Sequence, residues 1–200
     1  MTFLGKITFV AAIALLLGAC GSSPPVRYYS LEQIDVIAKP DAADSKIVGL
    51  GPLRVPDYLR RSQIVTRGAG ANVNIDDFAR WAEPLDQAVH GIVANNVDSL
   101  LADIIVVAFP YISTVDVDYV VVGRIDRFDV GADGDAIMIV QWGLVDSSGE
   151  TRIAPQRHRY TARASEPDDS GSVAQAMSDI LTQLSHDIAK GVDDALRKTS

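Results

Sequence analysis

The sequence predicts a layered α/β sandwich with a mixed, largely antiparallel sheet and two main amphipathic helices. Two segments repeat apolar residues at helical spacing, and three long apolar segments are joined by tight-turn signals. Helices with one apolar stripe and strands with one apolar face bury both by stacking as layers.

The elements follow in order. Arg27–Leu31 has strand composition, and Pro40–Ser45 reads as a loop. Ile47–Val55 is apolar but contains Gly49, Gly51 and Pro52. Proline cannot donate to a strand ladder, which predicts an edge strand or a bulge. Gln63–Arg67 and Asn72–Ile75 flank Gly68-Ala69-Gly70 and predict a hairpin. Leu85, Ala88, Val89, Ile92, Val93, Asn96, Leu100 and Leu101 mark one face of a helix, with Pro84 suited to its first turn. Ile104–Phe109, stopped by Pro110, predicts a short buried strand.

Val115–Val130, Asp135–Asp146 and Thr151–Ser165 then predict an antiparallel meander. Asp133-Gly134 makes the first turn and Ser147–Glu150 the second. A last helix is expected from Ser172, where Ser-Val-Ala-Gln fits a capping box with Gln175 reaching back. Its stripe runs through Val173, Ala176, Met177, Ile180, Leu184, Ile188, Val192 and Ala195.

The N-terminus has a different purpose. Lys6, the apolar run Ile7–Leu17 and the small residues Gly18 and Ala19 describe a signal peptide over residues 1–19. The run is shorter than the ~20 residues a membrane-spanning helix needs. Leu17-Gly18-Ala19-Cys20 resembles a bacterial lipobox, which predicts lipidation of Cys20, the only cysteine in the chain. Nothing nearby would lower the pKa of that thiol for catalysis. Residues 20–25 then form a lipidated tether and 26–200 a single domain. The five residues Gly21–Pro25 span at most about 18 Å and hold the domain near the bilayer. Cys20 is not followed by aspartate, which favours the outer membrane over the inner one in Gram-negative sorting.

Charge and motifs narrow the function. Lys6 is the only charged residue in 1–19, so removing that segment takes the formal net charge from −8 to −9. Such a domain is a poor partner for nucleic acid, where binding rests on neutralising phosphates. Gly49-Leu50-Gly51 lacks the third glycine and the following helix of a dinucleotide site. Asp129–Asp135 does not match a calcium loop, because Gly131 stands at a ligand position and no glutamate closes it. His90 and His186 fall off their helical stripes, and His158 lies between two arginines in a strand, so all three read as surface residues. Neither a nucleophile elbow nor a Ser/His/Asp grouping can be argued, and no cofactor or metal is expected.

Two stretches remain. Val55–Ser62 puts Tyr58, Leu59, Arg60 and Arg61 in a proline-opened loop, and Phe78–Pro84 carries Trp81 into the first helix. Tyrosine and arginine are enriched at interfaces. Tyr58, Leu59, Arg60, Arg61 and Trp81 are therefore a candidate partner surface. The competing reading is that Tyr58, Phe78 and Trp81 staple the loop and helix entry to the core.

"VGLGPLRVPDYLRRSQIVTR" and "FARWAEPLDQAV", after an early Tyr-Tyr-Ser-Leu and a lipobox, resemble the ABC-type transport auxiliary lipoproteins of the paraquat-inducible type. The resemblance is specific over residues 47–90. It implies a lipid-anchored domain that faces the periplasm and is not an enzyme; the outer membrane is the expected site from the residue after Cys20, with the inner membrane left open. The implied partners are an MCE-domain (mammalian cell entry) protein and inner-membrane transporter components of a lipid or solvent-resistance transport system. It leaves open self-association and lipid binding by the domain itself. The alternative reading is a lipoprotein scaffold or regulator for secretion or cell-wall synthesis.

Overall fold

The computed structural model describes residues 24–35, 39, 45–111 and 116–198. The expected signal peptide, Cys20 and most of the 40–45 loop lie outside the described residues. Eight strands form one mixed sheet: β1 (Arg27–Tyr29), β2 (Lys46–Arg54), β3 (Gln63–Arg67), β4 (Val73–Trp81), β5 (Ile104–Ala108), β6 (Tyr119–Gly131), β7 (Asp135–Asp146) and β8 (Thr151–Arg163). Two helices, α1 (Leu85–Leu100) and α2 (Ser170–Arg197), pack against each other and against the sheet. This is the two-layer arrangement the periodicities predict.

Strand β6 organises the sheet. One edge pairs antiparallel with β7 along nearly its whole length, and β7 pairs antiparallel with β8, which completes the expected meander. The other edge is shared. Its first half pairs parallel with β2, from Val48↔Tyr119 to Arg54↔Arg124, and its far end pairs parallel with β3 at Thr66↔Val130 and Arg67↔Gly131. The sheet thus forks beside β6 into a β2–β5 arm and a β3–β4–β1 arm. The 55–62 loop joins β2 to β3 at the fork.

Several expectations hold in detail. The β6–β7 turn closes with Gly134 N–H donating to Gly131 O at 2.9 Å, and Gly134 adopts a φ of 85° that disfavours a side chain. The β3–β4 hairpin is antiparallel, with a register shift next to Gln63. Pro84 precedes α1 as its N-cap.

Others are corrected. Of the two readings for the proline in β2, the bulge holds, between Leu50 and Leu53, while the edge does not, because β2 is an interior strand between β5 and β6. β5 is an edge strand pairing only β2, and Ile105 is exposed, so the expected buried strand is half open. The N-cap of α2 is Asp169, whose side chain accepts from Ser172 N at 2.8 Å. Ser172 Oγ instead accepts from Glu166 N, and Gln175 Nε2 donates to Asp179, so the capping box does not form. Asp169 wins because a carboxylate one turn earlier accepts better than a hydroxyl and complements the helix dipole.

The core lies between the sheet and the helices, with Phe128, Met138 and Leu144 from the strands facing Val93, Ile180 and Leu184. Asn96, on the predicted apolar stripe of α1, is fully buried. Its Oδ1 accepts from Ile34 N at 3.0 Å, while Ser178 Oγ on α2 accepts from Glu32 N at 2.9 Å. The segment after β1 is therefore strapped to both helices, with Leu31 buried beneath it. Asn96 Oδ1 is satisfied by the Ile34 backbone donor, while its buried Nδ2 has no hydrogen-bond partner among the described residues.

Candidate functional site

The 55–62 loop is built around one short turn. Pro56 O accepts from Leu59 N at 3.0 Å, closing a 3-10 turn over Asp57–Leu59 that sends consecutive side chains in different directions. Leu59 is driven into the core, 2% exposed. Tyr58 goes to the sheet face away from the helices and donates its hydroxyl to Asp129 Oδ2 at 2.6 Å.

Asp129 is the hub of a charged cluster. It is wholly buried, Arg67 Nε donates to the same oxygen at 2.8 Å, and Arg127 Nε donates to Oδ1 at 2.7 Å. The Arg67 guanidinium also lies 5.7 Å from the centre of the Tyr58 ring. A buried carboxylate persists only when paired in this way. Burial first, then the hydrogen bond and charge of Asp129, push the Tyr58 phenol up to about 12. The cluster pins the loop to β6 at the fork, where neither β2 nor β3 pairs with it.

With Tyr58 and Leu59 committed to the fold, Arg60 and Arg61 are the candidate residues of the loop left exposed, beside Asp57 and Ser62. Arg60 reaches Asp57 at 3.4 Å, an exposed contact of small energetic weight. Trp81 N–H donates to Ser62 O at 2.7 Å, joining the loop to the end of β4. An open cleft of about 480 Å³ lies between them, lined by Arg60, Arg61, Trp81, Glu83 and Asp86 among others. Trp81 is only 6% exposed, so it forms part of the cleft lining while most of its ring belongs to the core. A smaller cleft of about 310 Å³ shares Arg60 and Asp86 and ends at His90. Arg60, Arg61 and Trp81 thus meet in space, while Tyr58 turns to the opposite side of the loop.

The histidines take defined places. His90 Nε2 lies 2.8 Å from both the N and the O of Leu53, tying α1 to the β2 bulge, so it is not free in solvent as expected. His158 is stacked between Trp142 and Tyr160 at 5.5 and 6.2 Å, and is half-buried rather than a plain surface residue. His186 is exposed. The carboxylates of the 129–135 segment serve the fold: Asp133 accepts from Asp135 N, Asp135 pairs with Arg163, and Asp129 holds the cluster above. Among the described residues no group of three or more His, Cys, Asp or Glu side chains is arranged to hold a metal ion. Sequence reasoning missed Asp129, Arg67 and Arg127 as partners of Tyr58. The visible signal was the run of charged residues Arg124, Asp126, Arg127 and Asp129 among the apolar residues of β6.

The domain is thus a two-layer α/β sandwich with a loop-bounded cleft. The chain belongs to the ABC-type transport auxiliary lipoprotein component family, whose model matches residues 29–189. It is a transport-associated lipoprotein, and the family is not one of enzymes. Among individual proteins it is similar to the intermembrane transport lipoprotein PqiC of Escherichia coli K12 and of Shigella flexneri. Each is 27% identical over 154 residues, covering 76% of this chain and 80% of the relative. A crystal structure of a Xanthomonas campestris protein shares the fold with a TM-score of 0.68 at 18% identity, covering 87% of this chain and 98% of the other. No helix among the described residues is long and apolar enough to cross a membrane.

Proposed function

We propose that this chain is a non-enzymatic, outer-membrane accessory lipoprotein of an MCE-type, ABC-linked intermembrane lipid-transport system. Acylated Cys20 anchors it, and the Arg60–Arg61–Trp81 cleft receives a periplasmic component of the machinery. The observation that carries the reading is the similarity to PqiC, an intermembrane transport lipoprotein by name, across 80% of that protein. The cleft supports it chemically. Arg60, Arg61, Glu83 and Asp86 all line it, together with Trp81. That mixed polarity suits a protein partner held by complementary charges around an aromatic contact.

The test is recovery of an MCE-domain protein from envelope extracts by the full-length lipoprotein and by its Arg60→Glu/Arg61→Glu variant. Both arginines are exposed, so the variant is expected to fold normally. Loss of the partner with an unchanged melting temperature supports the docking surface. Equal recovery by both proteins moves the docking surface elsewhere, and no recovery by either overturns the proposed function.

A further inference from the structure

Of the seven exposed large hydrophobic residues among the described ones, five sit at one end of the sheet: Val26, Tyr28, Val73, Ile75 and Phe78. They share a face. On β3, Ile64 points to the helices, so Val65 and Arg67 point outward, as the Arg67–Asp129 pair on that side also requires. Antiparallel partners lie on the same face, which turns Ile75 (opposite Val65) and Val73 (opposite Arg67) outward. Beyond the register shift Ala79 and Trp81 enter the core, so Phe78 and Arg80 look outward. The parallel register Tyr28↔Arg80 then sets Tyr28 beside Arg80, with Val26 two residues back on the same side.

The opposite edge of the sheet is unlike this end. β8 carries Arg157 and Arg163 there, paired with Asp126 and Asp135. Exposed apolar side chains grouped at one end mark an interaction site rather than ordinary surface. Arg80 adds a second observation. Its Nε is buried without a hydrogen-bond partner among the described residues, between two exposed aromatic residues.

We infer that this outer face of the β1–β4 edge seats the domain on the lipid surface beside its anchor. The inference rests on the lipid-anchored reading of the chain. Its occupant follows from where the chain leads. Val26 lies six positions after Cys20, a reach of at most about 22 Å, so the patch cannot move far from the bilayer that holds the acyl chains. Aromatic side chains such as Tyr28 and Phe78 suit the boundary between headgroups and acyl chains. The acidic balance of the chain opposes lying flat on anionic lipid, so the apolar end is the side that can approach.

The test uses the full-length lipidated protein in vesicles of phosphatidylethanolamine and phosphatidylglycerol. Lipidation consumes Cys20, so Tyr28→Cys or Phe78→Cys offers one thiol for an environment-sensitive fluorophore. Ile105→Cys, exposed on β5 across the sheet, is the control. Several-fold stronger quenching at 28 and 78 than at 105 by lipids spin-labelled near the headgroup is the expected result. Equal quenching at all three overturns the seat. A fluorophore protected from aqueous iodide yet unquenched by spin-labelled lipid also overturns it, by showing that a second copy or another protein covers the patch. Failure of the protein to float with the vesicles removes the anchored reading as well, whereas flotation without quenching removes the seat alone.

Discussion

Replacing Tyr58 with phenylalanine removes one hydroxyl from the Asp129 cluster while keeping the ring. The lost bond is 2.6 Å long and goes to a buried carboxylate. Hydrogen bonds to charged groups contribute about 1.5–3 kcal/mol. Asp129 keeps Arg67 and Arg127, so no charge is stranded, and Tyr58 is only half-buried. Solvent screening favours the lower end, about 1–2 kcal/mol. For a domain of this size each kcal/mol moves the melting temperature by about 2–4 °C, so the variant should melt about 2–8 °C lower at neutral pH. The pH dependence gives a sharper check. The phenol is pushed up to about 12 in the folded state, against 10.0 for an unperturbed tyrosine. The folded chain therefore holds the proton more tightly. The Tyr58 contribution is complete below pH 10.0 and disappears as the pH rises through about 12. Thermal unfolding followed by circular dichroism should show the wild type losing its advantage over Tyr58→Phe across that window. Other tyrosines titrate in both proteins and cancel. A constant difference through the window, or equal melting at neutral pH, would refute the assignment of Tyr58 as a proton donor to Asp129.

The remaining predictions address the cap, the strap and the anchor. Asp169→Ala should cost about 0.5–2 kcal/mol by chemical denaturation, while Gln175→Ala, which loses only an exposed bond to Asp179, stays near wild type; the reverse order would restore the Ser172 capping box. Asn96→Leu strands the Ile34 N–H and should destabilise by about 1–3 kcal/mol, with amide hydrogen exchange accelerated at Ile34. Cys20→Ser should abolish incorporation of labelled palmitate and signal cleavage, and leave the melting temperature of the domain unchanged. A large fall in melting temperature would give that cysteine a role in folding.

Both helices, the meander and the β3–β4 hairpin were legible in the chain because each rests on contacts between near neighbours. Helical period, Asp133-Gly134 and Gly68-Ala69-Gly70 act over a few residues and need no distant partner. The motif residues Tyr58–Arg61 and Trp81 were also visible as a group, yet their directions were not. A 3-10 turn separates Tyr58 from Leu59, and only the folded sheet supplies Asp129, 71 positions away, for the phenol to meet. The interior position of β2 was hidden for the same reason. Its parallel partners β5 and β6 lie far along the chain, and its proline fitted an edge strand as well as the bulge that the fold contains. Asn96 read as part of an apolar stripe because its ligand, the Ile34 amide, comes from a separate segment.

By itself, the sequence determined the α/β class, the order of the elements and the residues 47–90 that carry the family resemblance. The tertiary structure alone decided which side chains of those residues are free. Burial and pairing of a polar group depend on what the fold carries to it from elsewhere, and local periodicity holds no record of that. The fork beside β6 is what sends Leu59 into the core and Tyr58 to Asp129 on the other sheet face, and leaves Arg60 and Arg61 exposed.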